Sequence, residues 1–212
     1  MEEYLQNTET INYDSPEVRK KAIELTNDLE TAEEKAKALF YFTRDKLKYK
    51  IFRELPDFND FKATAALEKR ESFCIPKAIL LVSLARAVGI PARLYFADIR
   101  NLLLPQSLLE AIGTDVMLYH GYAGLHVNGK WVKVNPAFDI DLCKRHDLIP
   151  VDFEGSADAL FNRYDKKGRV HIEYLKEHGH FADFTREMYD KIMARFIEYY
   201  GPLMAQGYPK KL

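Results

Sequence analysis

An α+β fold is predicted by three features of the chain. Helical spacing dominates its N-terminal part. The stretch ESFCIPKAILLVSLARAVGIPARL (71–94) is apolar nearly all round and belongs in a core. An Asn128–Gly129 pair then interrupts alternating runs, the strongest short hairpin signal. Helices first and an antiparallel sheet second give N-terminal helices with a central buried cysteine helix packed on that sheet.

Each element follows from local chemistry. Ser15 as cap and Pro16 in the first turn start a helix running to about Leu29. Thr31 and Glu34 have capping-box spacing and start a second helix to about Leu47, with Ala32, Ala36, Leu39, Phe40 and Leu47 on its apolar face. Residues 49–51 read as a short extended end, Asp57 to Asp60 as a polar turn, and 61–69 as a short helix. The helix opened by Cys74 stops at Gly89, which can take the left-handed cap, and Pro91 bars continuation. Arg93 to Ile99 alternates as a strand, and Pro105 to Ile112 reads as a short helix. Met117 to Phe138 is the hairpin. Residues 140–146 read as helix, 150–168 as loop, His171 to Leu175 as an edge strand, and Phe184 to Tyr200 as a closing amphipathic helix. A single domain over 1–212 is expected, with a core at about 31–139 and a C-terminal elaboration over 140–212.

Composition bounds the function. Of 212 residues, 47% are apolar, enough for a core. With 31 basic against 32 acidic residues and no long basic run, no nucleic-acid partner is expected. No apolar run is long enough to span a membrane, and the opening MEEYLQNTETINYD is too acidic and polar for a secretory signal. The two cysteines, Cys74 and Cys143, are too few for a disulfide framework, so a reduced, cytoplasmic protein is the simplest reading. The six scattered histidines form no metal-ligand spacing, so neither metal nor cofactor is expected. The oligomeric state is not legible.

The hairpin assembles chemistry. A two-residue turn pairs Val127 with Lys130. By period two, His120, Tyr122, His126, Trp131, Lys133, Asn135 and Asp139 then share one face. Asn135 and Asp139 both lie diagonal to His120. At the start of its helix, the Cys74 thiol meets free amides and the positive end of the dipole, which favour thiolate. Together they make a Cys-His-Asn or Cys-His-Asp arrangement for thiol acyl transfer. Cys74 is the nucleophile, His120 the proton carrier, Asn135 or Asp139 its orienting partner, and amides near Cys74 the oxyanion donors. Tyr122 and Trp131 are the candidate substrate contacts, with core packing as the plainer role for each. Cys143 reads as structural, His126 as a surface residue, Arg86 and Arg93 as structural ion pairs. His171 and Glu173 share a strand face that either lines the cleft or is a plain edge.

Cys74 with its apolar helix, Arg86 and Gly89-Ile90-Pro91-Ala92-Arg93 resembles the core of the transglutaminase-like cysteine superfamily. So do His120, Trp131 after Gly129-Lys130, and Asn135-Pro136. The tail through Leu142-Cys143 and His171-Ile-Glu-Tyr resembles a bacterial group within it. The resemblance implies a papain-like fold and a thioester intermediate on a peptide or protein amide, resolved by water (protease or amidase) or by an amine (transglutaminase). The absence of a calcium loop or second-substrate module leans toward hydrolysis. The family usually carries aspartate immediately before the proline, where this chain has Asn135. That departure supports one alternative, a catalytically inactive binding or scaffold module on the same fold. A second alternative is a different acyl-type activity on that fold, a deglycosylating or cyclising amidase, whose sign would be an aromatic sugar-stacking cleft.

Overall fold

The computed structural model describes residues 1–51 and 55–204, with the side chains of Ala111 and of 202–204 left aside. A short 3₁₀ turn at Glu2–Leu5 precedes α1 (Pro16–Thr26). Pro16 opens α1 as expected, but the Ser15 side chain makes no cap bond; its hydroxyl is buried instead. In α2 (Ala32–Lys46) the capping box forms, the Glu34 N–H donating to Thr31 and the Thr31 N–H to Glu34 at 3.2 and 3.0 Å.

The strand β1 (Lys48–Tyr49) pairs in parallel with β2 (Glu71–Ser72). Between them lie a 3₁₀ turn at Phe58–Phe61, capped by Asp57 where a polar turn is expected, and α3 (Ala63–Lys69). α4 (Cys74–Ala87) is buried continuously from Ile75 to Arg86, as its all-round apolar sequence demands. Its stop comes where the left-handed Gly89, at φ 79°, turns the chain. Lys77 lies wholly inside. Its ammonium donates to the carbonyls of Arg44 and Leu47, at 2.9 and 2.6 Å, and so ties the end of α2 to α4. Burial pulls that ammonium down to about 7.

β3 (Ala92–Asn101), β4 (Val116–Val127), β5 (Lys130–Val134) and β6 (Ile172–Phe181) form one antiparallel sheet in the order β5-β4-β3-β6. The turn at Asn128–Gly129, with φ of 51° and 78°, gives the expected register: Val127 faces Lys130 and Ala123 faces Val134. α4 packs on β4 and β3. β6 is twice as long as the sequence suggests, because its exposed half is polar and is held by pairing with β3 rather than by apolar alternation. α5 (Gln106–Ile112) sits against α7 (Arg186–Met204), and α6 (Ile140–Arg145) follows the hairpin.

Two expected ion pairs take another form. Arg86 is buried and donates to the carbonyls of Ala92, Gln6 and Ala182, joining three segments without a carboxylate. The Arg93 guanidinium stacks 3.9 Å from the Trp131 ring centre and hydrogen-bonds the Tyr95 hydroxyl. No helix among the described residues is long and apolar enough to cross a membrane.

Candidate active site

Cys74 is the first residue of α4, and Phe73 before it offers no side-chain cap. Pro76 has no N–H, so the unclaimed donors of the first turn are the amides of Cys74 and Ile75. Both act on the thiol, together with the amide of Gly121 on β4. That contact demands glycine: a Cβ on Gly121 would stand 3.0 Å from both Cα and Cγ1 of Ile75. The strand therefore meets the helix start backbone to backbone, one residue beyond His120.

His120 is 3% exposed. Its Nε2 lies 2.9 Å from the Asn135 side-chain nitrogen, realising the diagonal contact the hairpin register implies. Asn135 is fully buried, and its oxygen accepts the Ala137 N–H at 3.1 Å. The oxygen being taken, the amide nitrogen is what faces the imidazole, which leaves Nε2 an acceptor and the ring proton on Nδ1. The same nitrogen reaches the Tyr174 hydroxyl at 3.4 Å, and the Phe161 ring covers the imidazole at 5.2 Å. Neither Tyr174 nor Phe161 is expected at the site from the sequence. The only signal for Tyr174 was its place on the expected edge strand, two residues beyond the start of β6.

Asp139 is placed elsewhere. Its carboxylate caps α6, accepting the N–H groups of Asp141 and Leu142 at 3.1 Å each, and takes the Tyr49 N–H at 2.8 Å. Lys48 stands 3.6 Å away. With its oxygens so occupied, it makes no hydrogen bond to His120. β5 ends at Val134, so the period-two rule that put Asp139 on the histidine face no longer applies beyond it.

The protonation states also differ from expectation. Burial pushes the Cys74 thiol up to about 11, against the opposing pull of the three amides. Burial draws the His120 imidazole down to about 4, with Asn135 working the other way. No hydrogen bond joins the two side chains. The resting pair is thus a thiol and a neutral imidazole rather than a thiolate beside an imidazolium. Cys143 is 2% exposed and likewise raised to about 11.

Cys74 and His120 line one cavity of about 540 Å³. Its walls include Phe138 and His171, the stretch from Leu103 through α5, and Phe196 and Tyr200 of α7. Neither Tyr122 nor Trp131 lines it. Tyr122 is fully buried and stacks on Tyr95, with ring centres 5.3 Å apart. Trp131 is covered from outside by Tyr4, edge-on at 4.9 Å. Pairing Tyr122 with Tyr95 across β3 spends one ring in the sheet, and the N-terminal turn claims the other. His126 packs against Trp131 at 5.3 Å.

Comparison with known proteins agrees with this fold. A family model described as "Transglutaminase-like superfamily" matches residues 19–136. Among solved structures, a protein from Cytophaga hutchinsonii provisionally described as a cysteine protease aligns with a TM-score of 0.50 at 16% identity, over 84% of this chain and 53% of its own. A provisionally described protease from Parabacteroides distasonis aligns with a TM-score of 0.41 at 15% identity, over 58% of this chain and 25% of its own. The chain thus spans about half the length of the first. The likeness to the first is one of fold. No curated protein sequence matches the chain.

Proposed function

Because the chain belongs to the transglutaminase-like superfamily, we propose that it is a thiol-dependent acyltransferase or hydrolase acting on an amide carbonyl, with Cys74 as nucleophile. The observation that carries this reading is the junction at Gly121. It sets a cysteine at the uncapped start of a buried helix against the strand of a histidine whose far nitrogen is held by Asn135. The name of the Cytophaga hutchinsonii relative agrees with it.

In this reading His120 Nδ1 exchanges the proton with the thiol, since Nε2 is engaged by Asn135. A half-turn of the Asn135 carboxamide gives up the Ala137 bond and presents its oxygen to Nε2; with the ring proton exchanged from Nδ1 to Nε2 through water, Nδ1 is free to accept. The sulfur attacks the carbonyl carbon, and the amides of Cys74, Ile75 or Gly121 receive the oxyanion. The C–N bond breaks, the amine departs with the proton from His120, and a thioester remains on Cys74. Water, deprotonated by His120, releases a carboxylic acid; an amine would instead give a new amide. Asp139 serves as a helix cap.

Substitution tests the assignment. Cys74→Ala and His120→Ala should each remove turnover of amide or activated ester substrates, Asn135→Ala should cost less, and Asp139→Ala least. Full turnover in Cys74→Ala would end the proposal. The raised thiol and lowered imidazole favour a second reading, a binding module without turnover. An acyl adduct on Cys74 would exclude that reading.

A further inference from the structure

We propose that the cavity beside Cys74 receives the acyl chain of an anionic N-acyl amino acid, whose carboxylate meets Arg145 and His146 at the cavity rim. This rests on the acyl-transfer reading above and narrows its substrate.

The interior is built for hydrocarbon. Leu103, Leu104, Leu108 and Ile112 come from the α5 segment, and Met117 and Leu118 from the start of β4. The polar groups among them are already engaged or uncharged. The Tyr200 hydroxyl donates to the Val116 carbonyl and accepts the Leu118 N–H, both at 3.0 Å, and the Asn101 oxygen accepts the Leu103 N–H. His171 is buried and drawn down to about 4, so like His120 it adds no charge at neutral pH. The buried His171 Nε2 is a lining atom without a hydrogen-bond partner among the described residues and can meet one polar group. A peptide lying here would bring several backbone N–H and C=O groups against a mostly apolar lining, each unmet one costing free energy; an alkyl chain brings none. The volume is ample for a ligand of that size.

The rim has the opposite character. Lys50, Arg145 and His146 line it and are exposed, and no carboxylate lines the cavity among the described residues. Lys50 is paired with Glu71, whereas the Arg145 guanidinium is in no salt bridge among the described residues and acts on Asp141 only through space. An apolar interior beside a cation in no close ion pair suits an amphiphile with a negative head. An N-acyl amino acid also carries the required amide. Attack by Cys74 would move the acyl group from nitrogen to sulfur, release the amino acid with the thiol proton, and yield a fatty acid after water cleaves the thioester.

The Cys74→Ala chain separates binding from chemistry. Calorimetric titration below micelle formation should show N-dodecanoylglycine binding roughly 250-fold tighter than N-octanoylglycine, at about fourfold for each of the four further buried methylenes. Arg145→Gln should weaken N-dodecanoylglycine roughly threefold and leave the neutral N-dodecanoylglycinamide unchanged. Leu104→Trp, which fills the cavity, should abolish the chain-length gain. Equal binding of the two chain lengths, or no Arg145-dependent preference for the carboxylate, would overturn the proposal. Chain-length-dependent binding without hydrolysis by the native chain would support the pocket and refute the acyl-transfer reading. Hydrolysis of acetylated peptide amides with no gain from a longer chain would do the reverse.

Discussion

Replacing Asn135 with aspartate should awaken the thiol. The change is nearly isosteric, and each acceptor has a partner in place: one carboxylate oxygen keeps the Ala137 N–H, and the other faces His120 and the Tyr174 hydroxyl. A carboxylate cannot donate, so Nε2 must carry the proton and Nδ1 becomes the free base. A negative charge at the 2.9 Å contact distance should raise the imidazole from about 4 by roughly one to three units. Proton transfer from thiol to imidazole becomes more favourable by the same amount, so the thiolate–imidazolium population rises roughly 10- to 1,000-fold. A less basic thiolate is also a weaker nucleophile, with a Brønsted slope of about 0.5, so alkylation at pH 7 should gain roughly 3- to 30-fold. The assay is iodoacetamide labelling from pH 5 to 10, quantified on the separate peptides of Cys74 and Cys143, with circular dichroism to confirm folding. A folded Asn135→Asp chain whose Cys74 labels no faster than the native one would refute the tautomer argument.

Three further outcomes follow from the same contacts. His120 sits at about 4 when folded against 6.5 ordinarily, so the unfolded chain takes protons first. Stability is full above about pH 7 and falls as pH drops through 6.5 toward 4, by about 2 kcal/mol at pH 5 from this group alone. His171 is depressed in the same direction and adds to the loss; urea melts at pH 7.5 and 5 that coincide would contradict both. Gly121→Ala should cost about 1–3 kcal/mol and lower turnover, because backbone as well as side chain of Ile75 must give way; a variant of native stability and activity would remove the close-contact argument. Asp139→Ala should lower stability by about 1–2 kcal/mol through loss of the α6 cap while sparing the pH profile of Cys74 labelling, and the opposite pattern would return Asp139 to the site.

What the sequence disclosed was carried by local signals. The Thr31 capping box, the stop at Gly89 and the Asn128–Gly129 turn each depend on a few adjacent residues, and each is found where expected. The turn in particular fixed a register precise enough to bring Asn135 to His120. The signal failed where partners come from far along the chain. Tyr4 covering Trp131, Tyr174 under Asn135 and β6 held by β3 are contacts that no local pattern announces. At the start of α4 the amides favour a thiolate, but burial, which no local pattern announces, opposes them and wins. Period two ends with β5 at Val134, so Asp139, five residues on, does not share the face that strict alternation gives it.

The most direct test of the central claim is rapid-quench mass spectrometry of the native chain mixed with an activated acyl ester, followed by peptide mapping. An acyl mass on the peptide of Cys74, absent from that of Cys143 and lost in Cys74→Ala, is the result predicted by a thiol acyl-transfer site. Turnover that persists in Cys74→Ala, or an acyl group found on Cys143 alone, would contradict it.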